Sequence, residues 1–251
     1  MRKFRLAVLE CDTPIEPVVE KLGTYAKIFD TFVRRGLEGY IEDGGAMGVD
    51  LEVTSHQMVD MEELPSFKEV DCLMLTGSKH NAFEDHPWIT RLVDYCRLAY
   101  ETTDIPLVGI CFGHQIIARA LGAKVQRNAG VWEVAVDQVD LTPEGQKLFN
   151  SDKLFLHQMH QDIVATLPEG SVLLGKSPKC EIQGFYIPKR VLTLQAHPEF
   201  SEFIMDQVMR RRFEQKIFTP EVYESGISRA SKEHDGLKVS KVIWKFLLED
   251  L

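Results

Sequence analysis

The stretch LVGICFGHQIIARALG, residues 107–122, decides how this chain is read, because an apolar segment runs into Gly-x-Cys-x-Gly and then directly into a helical pattern. Leu107, Val108 and Ile110 make a short apolar run of the kind buried on both faces of a parallel sheet. Ile116, Ile117, Ala120 and Leu121 follow at helical spacing, and Gly122 suits a left-handed helix cap. A strand joined so abruptly to a helix makes a strained turn. Gly109 and Gly113 flank Cys111 because side chains there would collide. Such a turn exposes Cys111 as a nucleophile, and the positive end of the following helix favours thiolate over thiol.

The same alternation extends in both directions. Residues 4–9 read as a strand, after which Val18, Val19, Leu22, Ala26, Phe29, Phe32 and Val33 recur at helical spacing. Residues 71–76 and 191–195 are further buried strands. Ile89, Leu92, Val93, Cys96 and Ala99 mark a crossover helix within residues 88–100. This βαβα order predicts an α/β fold, a doubly wound, mostly parallel sheet with flanking helices in three flavodoxin-like layers. Residues 36–48, with five glycines, read as a loop, and residues 219–236 read as irregular. Residues 237–248 read as a final amphipathic helix. Composition marks no boundary, so the expectation is one domain over residues 1–251, with 201–251 a C-terminal helical extension.

The chain has 251 residues, 44% of them hydrophobic, enough to bury a core and to exclude a disordered class. Its 29 Lys and Arg against 38 Asp and Glu leave a net charge of −9. That balance argues against nucleic acid or an anionic membrane as main partner and in favour of a small-molecule substrate. Arg2, Lys3 and Arg5 precede an apolar run too short for a signal peptide, and no stretch approaches the roughly 18 apolar residues of a membrane span. A cytoplasmic protein is expected, with nuclear entry left open. The cysteines number five and are scattered, which fits reduced thiols.

A thiolate nucleophile needs a base, and of eight histidines His197 is best placed. It follows a buried strand, and Glu199 lies two residues on, projecting to the same side of an extended chain, with Pro198 stiffening the link. Cys111, His197 and Glu199 thus form a candidate triad at the carboxyl edge of the sheet. The strand over residues 71–76 delivers Gly77 and Ser78 to the same edge, where the amides of Gly77 and Phe112 would make an oxyanion hole. Cys11, Cys72, Cys96 and Cys180 lack glycine flanks and read as buried hydrophobes. His114 reads as a packing residue and the Arg210, Arg211, Arg212 run as a solvated helix face. His157 and His160 lack a third ligand, so no metal is expected.

The motifs GICFGHQ around Cys111, AHPEF at His197 and Glu199, and LTGS at Gly77 resemble, in order and spacing, the class I glutamine amidotransferases. The likeness spans about residues 4–200, and the chain is similar to the glutaminase domain of GMP synthetase and to free-standing fungal and plant relatives, γ-glutamyl peptidases among them. The resemblance implies hydrolysis of a glutamine or γ-glutamyl amide through a thioester on Cys111, with no cofactor. It also implies substrate contacts at Ser78 and Gln115 and, in the stretch that departs from the Asn-His-Gly pattern of biosynthetic members, at His160, Gln161 and Asp162. That departure points to a changed substrate. No phosphate loop or pyrophosphatase loop occurs, so ammonia passed to an acceptor would need a separate synthetase partner. The other readings are a glutaminase subunit active only with that partner, and a noncatalytic relative that binds or regulates.

Overall fold

The computed structural model describes residues 2–249. The first half of the chain runs β1 (Arg2–Glu10), α1 (Glu16–Leu22), α2 (Tyr25–Glu42), β2 (Val49–Gln57), β3 (Cys72–Leu75), α3 (Pro87–Thr102), β4 (Leu107–Ile110), α4 (Phe112–Ala120) and β5 (Val125–Arg127). The second runs β6 (Glu133–Leu141), α5 (Pro143–Phe149), β7 (Lys153–His160), β8 (Asp162–Val164), β9 (Val172–Ser177), β10 (Cys180–Ile187), β11 (Val191–Leu194), α6 (Glu202–Glu214), α7 (Pro220–Ile227) and α8 (Gly236–Leu248).

Successive residues of β1 face opposite sides of the sheet and both sides are covered. Phe4, Leu6 and Val8 pack with Phe29 and Val33 of α2 and Trp244 of α8, while Ala7 and Leu9 pack with Ile89 and Leu92 of α3 and Ile116 of α4. This is the expected three-layer α/β architecture. The large sheet has the order β2-β1-β3-β4-β11-β10-β9-β6-β7. Strands β2, β1, β3, β4 and β11 are mutually parallel, whereas β10, β9, β6 and β7 continue the sheet antiparallel. In the parallel part Leu75 stands beside Gly109, and Ile110 beside Leu194, so three strands end side by side. Their continuations carry Gly77, Cys111 and His197.

Three local readings of the sequence are corrected. The helical pattern over residues 18–33 is two helices, broken at Gly23, whose φ of +86° lies in the left-handed region. The glycine-rich stretch from residue 36 is not a loop throughout, because α2 continues to Glu42. Helix α8 crosses α2 there so closely that a Cβ on Gly36 would stand 1.9 Å from Ser240 Oγ and one on Gly39 2.7 Å from Lys241 Cδ. The packing outweighs the helix cost of about 1 kcal/mol per glycine. Within residues 219–236 a helix, α7, forms because Thr219 caps it, its hydroxyl accepting from the Val222 amide, and Pro220 sits in the first turn.

Helix α8 is fixed to α2 by two side-chain donors, Ser240 Oγ to Phe32 O at 2.8 Å and Trp244 Nε1 to Val33 O at 2.6 Å. Among the described residues no helix is long and apolar enough to cross a membrane.

Candidate active site

Cys111 occupies the turn between β4 and α4 with φ +53° and ψ −101°, a left-handed backbone that L residues adopt only under strain. The flanking glycines are steric necessities. A Cβ on Gly109 would lie 2.7 Å from the Gly113 carbonyl, and one on Gly113 2.5 Å from Leu75 O. Two long-range hydrogen bonds hold the turn, Cys111 N–H to Leu194 O at 2.8 Å and Gly113 N–H to Thr76 O at 3.1 Å. The elbow is thereby tied to both neighbouring strands. Gly122, at φ +83°, follows α4 as its left-handed residue.

His197 leaves the end of β11 with its N–H donating to His157 O at 2.7 Å. Its Nδ1 lies 2.8 Å from Glu199 Oε1, and its ring lies within the field of the Cys111 sulfur. Phe200 stacks on the imidazole at 4.0 Å between centroids. Burial opposes a charge on this ring, but the Cys111 sulfur and the Glu199 carboxylate outweigh it and raise His197 to about 10. The charged form of this ring is therefore the favoured one at neutral pH. Gly77 is what lets the ring approach, since a Cβ there would stand 2.6 Å from His197 Cε1.

Cys111 is itself buried, at 5% exposure, rather than exposed as the turn suggested, and so are the other four thiols. Burial pushes Cys96 and Cys180 up to about 12 and raises Cys11 and Cys72 as well. His114 is a packing group, with Nδ1 2.8 Å from Thr193 Oγ1 and burial lowering it to about 3.

A cavity of about 280 Å³ opens on Cys111 and is lined by Ser78, Phe112, Gln115, His160, Gln161 and Asp162 among others. The structure thus gathers the expected substrate-contacting residues around one space. Gln115 lines it with both amide hydrogens engaged, to Asp162 O at 2.9 Å and Gln195 Oε1 at 3.0 Å. Asp162 pairs with Arg127, and burial raises its carboxyl above the ordinary range.

Three residues at the site carried no signal in the sequence. Gln195 points its Nε2 at Cys111 Sγ, 3.6 Å away, and is held there by Gln115. Glu133 is buried and meets His160 Nε2 at 3.0 Å, accepting also from Ser177 Oγ at 2.6 Å and Gln183 Nε2 at 2.9 Å. Burial would raise this carboxyl, yet His160 and Ser177 together hold it below the usual range. Arg212, expected on a solvated face, instead turns toward the cavity, half-buried, with its guanidinium 4.9 Å from the Trp132 ring centre. Its place depends on where the sixth helix docks, which a charge run does not encode.

The family model described as glutamine amidotransferase class-I matches residues 38–216. A putative glutamine amidotransferase-like protein of Schizosaccharomyces pombe is 34% identical, over 98% of this chain and 99% of its own. Gamma-glutamyl peptidase 3 of Arabidopsis thaliana is 27% identical, over 99% and 96%. In fold the chain is similar to a glutamine amidotransferase from Thermotoga maritima, with a TM-score of 0.73 at 22% identity over the whole of both chains. The matched segment spans the parallel strands from β3 to β11 and the cysteine elbow between them, and the chain belongs to the class I glutamine amidotransferase family.

Proposed function

We propose that this protein hydrolyses the γ-amide of glutamine or of a γ-glutamyl compound through a thioester on Cys111. The observation that carries the reading is the placement of His197 between Glu199, at 2.8 Å, and the sulfur on its left-handed elbow. The names of relatives, glutamine amidotransferase-like and gamma-glutamyl peptidase, support an amide hydrolase of this class.

In the first step the Cys111 thiolate attacks the γ-carbonyl carbon. The amides of Gly77 and Phe112 receive the oxygen as it becomes negative; the Phe112 N–H, first in its helix, has no acceptor one turn back. His197 holds the proton and gives it to the leaving nitrogen as the C–N bond breaks. It then takes a proton from water, which attacks the thioester and releases glutamate. Glu199 keeps the imidazole oriented and stabilises its charged form throughout. Gln195 steadies the sulfur anion, and Ser78, His160, Gln161 and Asp162 surround the glutamyl end.

Purified protein supplied with glutamine and γ-glutamyl compounds should release ammonia or amine, and a glutamine-like electrophile should label Cys111. Cys111→Ala should lower turnover by about 10³-fold or more. Undiminished turnover in that variant would refute the reading, and an inert chain that becomes active with cell extract would assign it to a glutaminase subunit instead.

A further inference from the structure

A second cavity, of about 510 Å³, adjoins the one over Cys111 and shares Ser78, Lys79, Met159, Arg212 and Ile217 with it. Cys111 lines only the first and His197 only the second. In amide hydrolysis the acyl group goes to the sulfur and the proton goes to the amine, so the space on the imidazole side is where the departing amine lies. Ammonia leaves most of that space empty, because a molecule the size of water occupies about 30 Å³. A cavity of this size falls in the range that takes an organic ligand, about 300–1,000 Å³.

The lining specifies what fits. Apolar surface comes from Ile15, Val18, Ile204 and Val208, and positive charge from Arg211 and Arg212. The acidic group facing this cavity, Asp12, is already occupied by Lys79, Nζ to Oδ1 at 2.7 Å and N–H to Oδ2 at 2.8 Å. Among the described residues no carboxylate forms an ion pair with Arg211 or Arg212, although the chain as a whole is strongly acidic. Two guanidinium groups without an ion-paired carboxylate line this cavity, and their chemistry suits a carboxylate; the Trp132 ring, 4.9 Å away, braces Arg212, while Asp12 and Asp162 act on it only from beyond ion-pair distance.

We propose that this second cavity is a leaving-group subsite in which Arg211 and Arg212 bind a carboxylate on the departing amine, so that γ-glutamyl peptides are preferred over free glutamine. The inference rests on the thioester reading above. Bond changes are those already given: the γ C–N bond breaks, the amine takes the His197 proton, and a peptide or amino acid departs in place of ammonia.

The test compares kcat/KM for γ-glutamylglycine with that for γ-glutamylethylamide, which lacks the carboxylate, and for glutamine, using the full chain. The expected preference for γ-glutamylglycine over the ethylamide is tenfold or more. Arg211→Met and Arg212→Met should shrink that ratio toward one, and Arg212→Lys should restore part of it. A ratio near one in the unaltered protein overturns the subsite, as does a ratio the Met variants leave intact. Equal loss on both substrates overturns it too, since the guanidinium groups would then be reading the glutamyl end. Cys111→Ala separates the two ideas: persistent turnover there defeats the thioester reading, whereas loss of turnover there together with a flat substrate ratio in the unaltered protein defeats the subsite alone.

Discussion

At Gly77 the absence of a single carbon atom sets the distance between an imidazole and a sheet. A methyl group there would stand 2.6 Å from His197 Cε1, so Gly77→Ala must displace the ring. Because a misplacement of about 1 Å costs roughly a hundredfold in rate, this variant should lose activity on that order while keeping the fold. Steady-state kinetics beside a circular dichroism spectrum checks it; turnover within a few-fold of the unaltered protein would contradict the role given to the glycine. Residues of this kind were legible beforehand in proportion to how local their constraint is. Cys111 showed itself through glycines two positions away on either side, and His197 through a carboxylate two positions on. Gln195, Glu133 and Arg212 stayed hidden because their partners lie 84, 27 and 80 positions away, at Cys111, His160 and Trp132, and nothing nearby in sequence marks them.

Among the elements, the long second helix shows best what packing adds to propensity. Its glycines argued for a loop, yet Gly36 lies directly against Ser240 and is buried in the contact between α2 and α8. Gly36→Val should force the helices apart and destabilise the protein by about 1–3 kcal/mol, read as a lower denaturant midpoint, with the β-branched side chain adding to the strain. A midpoint equal to that of the unaltered chain would mean the helices separate at no cost. The parallel strands could be read in advance because they are buried on both faces and therefore uniformly apolar, as in Leu107–Ile110 and Val191–Leu194. The antiparallel strands β6, β7, β9 and β10 mix buried and exposed positions and carry Gln, Asp, Lys and Glu, so their pattern resembled that of connecting segments.

Across the whole molecule, buried imidazoles make stability depend on pH from both sides. Burial first, then neighbouring imidazoles, lowers His114 and His157 to about 3. As pH falls below about 6.5 the unfolded chain takes up protons that these two rings refuse, so stability drops between there and pH 3, by several kcal/mol at most. His197 works in the opposite sense. Its contribution is complete below the ordinary histidine value and is lost as pH rises through about 10. The urea midpoint should therefore peak near neutral pH, and His157→Leu should flatten the acid limb. A midpoint that is level from pH 7 to 4 in the unaltered protein would contradict this account.

The seam at β11, which pairs in parallel with β4 and antiparallel with β10, brings the two halves of the sheet together at the candidate site. Both halves wall the two cavities, through Val18, Ser78 and Gln115 on the parallel side and through His160, Asp162 and the end of α6 on the other. Under the proposed function, residues 159–162 and 211–217 are the segments to graft from a cousin, because they retune appetite while carrying none of Cys111, His197 and Glu199.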